Sequence, residues 1–139
     1  MRILRAVLGK NPSRPKGRVR NFIANKELGT LSDIHENVLS PGVTTPWHFH
    51  ETEEVIVVLE GTGECRSDRG TGTYAAGDVV ILPARVKHSL HNPGDASLRQ
   101  ICFFPGDPAT TFLEGELPGQ TVDVFNPSEW AKSKPSTSN

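Results

Sequence analysis

Apolar residues in this chain come in short runs, each cut off by glycine, proline or a cluster of polar turn residues. The stretch Glu53–Glu60 holds Val55-Ile56-Val57-Val58-Leu59, a β-branched run of one strand's length. Ile34–Leu39 predicts a strand ending at Pro41-Gly42, and Trp47–His50 a short extended piece after Pro46. Glu64–Arg66 and Gly72–Ala75 flank the turn Ser67-Asp68-Arg69-Gly70 as a hairpin. Val79–Leu82 reads as a strand stopped by Pro83, and His88–His91 as a short one before the dense turn Asn92-Pro93-Gly94-Asp95. Leu98–Phe104 reads as the last good strand, ending at Pro105-Gly106. Residues 1–21, broken by Pro12 and Pro15, read as loosely structured, and the Ser- and Lys-rich tail as frayed, with a helical turn starting at Ser128-Glu129-Trp130-Ala131. The result is seven or eight short strands at roughly 8–12-residue spacing, the pattern of a sandwich or barrel.

Composition sharpens this picture. Thirteen glycines and eleven prolines in 139 residues oppose a helical bundle, which tolerates neither in its interior, and suit an all-β domain with many turns. One domain is expected, with a basic arm or first strand at 1–30, a barrel at 31–126 and a tail at 127–139. Charge is uneven: residues 1–26 carry eight basic residues and no acid, and the rest of the chain has a net charge of −9. Without aromatic interleaving this arm reads as solvated or sheet-bound, and no nucleic-acid partner is expected. No run approaches the ~18 apolar residues that span a membrane, and the Arg-interrupted start does not read as a secretory signal. Cys65 and Cys102 are too few for a disulfide framework and are read as reduced, in a cytoplasmic protein.

The chemistry gathers on histidines. His48 and His50 are two apart, so on a strand both imidazoles point to one face and converge. Glu54, across the Glu51-Thr52-Glu53 turn, folds back towards them, and His88 closes the set from across a barrel. Three imidazoles and a carboxylate suit Mn, Fe, Co, Ni, Cu or Zn, all with the ligands deprotonated. His91, three residues from His88 on an extended segment, points the other way, and His35 reads as a surface or core residue. Trp47 and Phe49 flank His48 on the face opposite the ligands.

These residues resemble two motifs of the cupin superfamily, in its cupin-2, conserved-barrel form. The first, G-x5-H-x-H-x3-E-x6-G, is matched at every spacing by Gly42, His48, His50, Glu54 and Gly61. The second, G-x5-P-x-G-x2-H-x3-N, is matched by Gly77, Pro83, His88 and Asn92, with Arg85 where glycine is expected. The resemblance implies a double-stranded β-helix, or jelly-roll, barrel around one divalent metal (Fe, Mn, Ni or Zn), with His48, His50, Glu54 and His88 as ligands. Arg85 either forfeits a glycine backbone conformation or sets a guanidinium at the barrel mouth for a carboxylate or phosphate. Gln100, Arg66 and Tyr74 are the candidates for substrate or acid-base contacts. In 98–104, Gln100, Cys102 and Phe104 share one face, but the sequence does not fix which face is inward.

The resemblance implies a metal-dependent enzyme acting on a small organic molecule. A dioxygenase-type oxidoreductase leads, ahead of an isomerase or lyase of a sugar-acid-like substrate. A non-catalytic small-molecule-binding cupin and a purely structural barrel are the competing classes. Family analogy also suggests a homodimer, with residues 19–30 joining a neighbour's sheet.

Overall fold

The strand at Leu98–Phe104 alternates strictly, with Leu98, Gln100, Cys102 and Phe104 buried and the residues between them half-buried. That alternation fixes the inward face left open by the sequence, and the barrel is built around it. The computed structural model describes residues 1–5, 8, 17–113 and the backbone of 122–125. Eleven strands lie in the described residues, with one 3-10 turn at Lys26–Leu28. They are β1 (Arg18–Ala24), β2 (Asp33–Leu39), β3 (His48–Phe49), β4 (Glu54–Glu60), β5 (Thr62–Ser67), β6 (Gly70–Ala75), β7 (Val79–Leu82), β8 (His88–His91), β9 (Leu98–Phe104), β10 (Thr110–Leu113) and β11 (Val122–Phe125).

Two antiparallel sheets face each other, in the orders β1-β2-β9-β4-β7 and β11-β10-β3-β8-β5-β6. This is the jelly-roll arrangement. Between them lies a core of Leu39, Ile56, Val58, Leu82, Leu90, Leu98, Cys102 and Phe104, closed by Cys65, Tyr74 and Val86. Cys65 and Cys102 are both free thiols. No described helix is long and apolar enough to cross a membrane.

Three elements differ from the sequence expectations. Residues 18–21, read as loose, open β1, which pairs along β2 of the same chain from Arg18↔Leu39 to Ala24↔Ile34. Residues 18–24 are therefore the edge strand of a sheet within their own chain. Strands also follow Leu98–Phe104, for β10 pairs with β3 and β11 pairs with β10. The helical turn expected at 128–131 lies outside the described residues.

The three motif glycines at 42, 61 and 77 all have left-handed backbones, with φ of 80°, 83° and 94°. Gly61 is the most constrained, because a Cβ there would lie 2.5 Å from the backbone carbonyl oxygen of Ser97. Gly61→Ala is expected to cost about 2–4 kcal/mol, the left-handed penalty plus a backbone shift. Gly42→Ala, with no atom within 4 Å of the new Cβ, is expected to cost only about 1–2 kcal/mol. Urea denaturation of the two variants checks the contrast. Asn92, the last motif position, is fully buried and ties the following turn. Its Nδ2 donates to the carbonyls of Leu39 and Ala96, and its Oδ1 accepts from the Gly94 amide.

Candidate metal centre

The centre draws on both sheets. β3 lies between β8 and β10, so that His48 pairs with His88 on one side and Phe112 on the other. His50 follows β3 directly, and Glu54 begins β4 in the opposite sheet. All four side chains are buried. Side-chain nitrogens of His48, His50 and His88 lie within 4.8 Å of one another. Glu54 Oε1 sits 3.3 Å from His50 Nε2 and 3.2 Å from His88 Nε2.

The far nitrogen of each ring is already held. His48 Nδ1 lies 2.6 Å from the Pro46 carbonyl, and His88 Nδ1 lies 2.9 Å from the Val86 carbonyl. A carbonyl only accepts, so both Nδ1 atoms carry the proton, and in the neutral rings Nε2 is left with a lone pair. His50 Nδ1 is held at 2.7 Å by the Thr110 hydroxyl. Burial keeps His48 well below the ordinary histidine pKa and lowers His50 as well. Burial alone would raise Glu54, but the closeness of His50 and His88 outweighs it, and the carboxylate is held well below its usual range.

The neutral His88 ring therefore turns an acceptor, Nε2, towards the Glu54 carboxylate. His50 Nε2, His88 Nε2 and Glu54 Oε1 are buried without a hydrogen-bond partner. Buried polar atoms are seldom left this way, and repulsion among them is relieved by a cation. The donor set fits a divalent transition metal, with each imidazole oriented through its outer nitrogen as metal-binding histidines are. Thr110, on a strand the sequence did not reveal, is one of these orienting groups. Thr110→Val is expected to lower metal affinity about 10–100-fold with little change in stability, read by metal titration of the stripped protein.

Other residues singled out in the sequence fall in varied places. His91 points away from the centre, as expected, with Nδ1 2.8 Å from Thr44 Oγ1. His35 is in the core, lining the same cavity as His48, His50 and Glu54. Gln100 is fully buried, and its Oε1 accepts from the Tyr74 hydroxyl at 3.0 Å. Burial raises the Tyr74 pKa beyond its ordinary value, so this hydroxyl serves packing better than proton transfer. Arg66 is not part of the cavity wall and pairs with Glu64 at 2.5 Å. Arg85 keeps the glycine-like backbone with φ of 65°. Its guanidinium pairs with Glu51 and lies 5.0 Å over the Phe49 ring. The carboxylate at that guanidinium is thus the chain's own. The cavity wall also includes Arg18, Arg20 and Asn37, which the sequence reading did not place there.

A small jelly-roll barrel with an imidazole cluster opening inside it defines a cupin, and the comparisons with known proteins agree. The family model described as a cupin domain matches residues 36–104. A cupin 2 conserved barrel domain protein from Salinispora arenicola is 26% identical over 61% of this chain and 72% of its own, with a TM-score of 0.55. A cupin-like protein from Thermotoga maritima superposes with a TM-score of 0.64 over 74% of this chain and 81% of its own, at 23% identity. The uncharacterized protein MJ1618 of Methanocaldococcus jannaschii is 29% identical over 75 residues, 53% of this chain and 60% of that protein. The chain thus spans well under two thirds of that relative. It belongs to the cupin superfamily, in its cupin-2 form.

Proposed function

We propose that this chain is a metal-dependent cupin enzyme acting on a small organic substrate, with one divalent transition ion held by His48, His50, Glu54 and His88. The observation that carries the reading is the convergence of three buried imidazoles and the Glu54 carboxylate on one point, with His50 Nε2, His88 Nε2 and Glu54 Oε1 lacking hydrogen-bond partners. Four protein ligands leave one or two positions of a five- or six-coordinate ion for a substrate atom. Such an ion, when bound, supplies Lewis-acid polarisation or oxygen activation.

Dioxygenase-type oxidation is the leading reaction class. Proton-transfer chemistry requires a base beside the ion, and the described cavity wall is poor in one. Burial raises the Cys102 thiol well above its ordinary pKa, and His35 is held well below its own. An isomerase or lyase is the second reading, favoured by the position of His35 in that wall, with its Nε2 3.2 Å from an Arg20 nitrogen. The fold hosts many chemistries and does not choose between them.

The deciding experiment is metal analysis of untagged protein purified without chelator, followed by oxygen uptake with candidate small-molecule substrates. About one Fe, Mn or Ni per chain with substrate-dependent uptake supports the dioxygenase. Bound metal without uptake in any substrate favours the second reading. Protein that is empty and refuses reloading overturns the metal reading and favours a binding or structural barrel.

The protein is proposed to act in the cytoplasm as a homodimer. Val57, Leu59, Val79 and Ile81 form an outward apolar patch on β4 and β7, 38–67% exposed, which a second copy would cover. A monomer on light scattering would overturn the dimer.

A further inference from the structure

His50 lies just past the end of β3, outside the ladder that joins β3 to β8 through His48 and His88. Something other than sheet pairing must therefore hold it beside His88, whose ring centroid is 5.3 Å from its own. Arg85 is placed to do so. It stands where glycine is expected and keeps the left-handed backbone, with φ of 65°, at a cost glycine would not carry.

Its contacts fall on three successive residues at the exit of β3. The Arg85 amide donates to the His50 carbonyl at 2.7 Å. The guanidinium lies 5.0 Å over the Phe49 ring and donates to the Glu51 carboxylate. On its other side Arg85 adjoins Val86, whose carbonyl accepts from His88 Nδ1 at 2.9 Å. One residue thus ties the segment carrying His50 to the segment that aims His88. The Glu51 amide, which donates to the Pro108 carbonyl at 2.7 Å, anchors the same exit on its far flank. A glycine at 85 would keep the backbone bond and lose both side-chain contacts. The Arg85 and Glu51 side chains are 64% and 43% exposed, so their ion pair is weak alone and screened by salt. Stacking on Phe49 adds a second weak contact. Together they are enough to change a rate several-fold, not to make or abolish the centre.

We propose that Arg85 is a positioning residue of the metal centre, whose side chain clamps the His50 segment against the His88 segment and slows escape of the bound ion. The proposal deepens the metal-dependent reading and rests on it for the ion, but the clamp itself needs no metal.

The test compares the full chain as wild type, Arg85→Gly, Arg85→Lys, Arg85→Gln, Glu51→Gln and the double variant of the last two. Glycine takes the backbone at 85 without strain, so Arg85→Gly isolates the side chain. Zinc-loaded protein is mixed with excess chelator and zinc release is timed. Arg85→Gly is expected to release zinc about three- to tenfold faster than wild type, and Arg85→Lys to recover part of the difference by restoring the charge. Glu51→Gln is expected to speed release in wild type and to add nothing once Arg85 is replaced by Gln. Sodium chloride at about 1 M is expected to bring wild type towards the Arg85→Gly rate while changing that variant little. In metal-free protein, the Glu51 amide is expected to exchange with deuterium at least threefold faster in Arg85→Gly than in wild type. Zinc release from Arg85→Gly at the wild-type rate overturns the proposal, and so do additive effects of Arg85→Gln and Glu51→Gln. If zinc does not load on wild type, the metal reading fails and the exchange rate decides the clamp: faster exchange in Arg85→Gly upholds it, and unchanged exchange overturns it.

Discussion

His50→Ala protein is expected to purify nearly free of transition metal under conditions where wild type carries about one ion per chain. The loss is larger than that from Thr110→Val, because a ligand and not its orienting partner is removed, and outer partners alone account for about 10–100-fold. Elemental analysis of the two variants beside wild type reads the difference. Retention of a full ion by His50→Ala would refute the proposed ligand set. Acid has the same consequence by another route, since every ligand must be deprotonated to bind. Metal content of wild type is expected to fall as pH drops below neutrality. Stability of the stripped protein follows in the same direction. His35 and His48 are held well below their ordinary value in the folded chain, whereas in the unfolded chain they take up protons near 6.5. The unfolded state then binds more protons below that pH, so stability falls as pH falls through about 6.5.

Phe104→Ala is expected to destabilise the protein by about 3–5 kcal/mol, the cost of a large cavity in a closed core. Phe104 is fully buried at the end of β9, where one ring spans two parts of the molecule. Its centroid is 4.6 Å from that of His50 and 5.8 Å from that of His35. The variant therefore removes a wall of the metal centre as well as core volume, and weaker metal binding is expected along with the lost stability. Phe103→Ala makes the control. Phe103 points outward, half-buried on the other face of the same strand, and its loss is expected to cost about 1 kcal/mol. Equal midpoints for the two variants in urea would show that the inward face of β9 does not carry the core.

Much of the site was legible because it is local. His48 and His50 obey the two-residue period of an extended chain, and Glu54 begins the next strand after a short turn. No long-range information is needed to bring those three together. The glycines at 42, 61 and 77 were legible as turns for the same reason, and all three have the left-handed backbone that favours glycine. Arg85 shows the limit of that logic, since it holds the same backbone conformation without being glycine.

What the sequence could not supply is whatever depends on pairing between distant segments. Arg18-Val19-Arg20 alternates charge and apolar side chain, which reads equally well as a solvated arm. Only pairing with β2 turns both arginines inward and makes them part of the cavity. Thr110 lies on a strand of four residues behind Pro105-Gly106-Asp107-Pro108, with no apolar run to announce it, and its role exists only because β10 pairs with β3. The inward face of β9 was likewise undecidable, since both faces are rich in apolar residues and a strand's period does not say which one the core takes. The sequence by itself determined the all-β barrel, its turns and the proposed metal ligands, because strand periodicity and turn chemistry act between near neighbours. The tertiary structure decided which faces are buried, which groups orient the histidines and what charge lines the cavity, because burial is set by segments far apart in the chain.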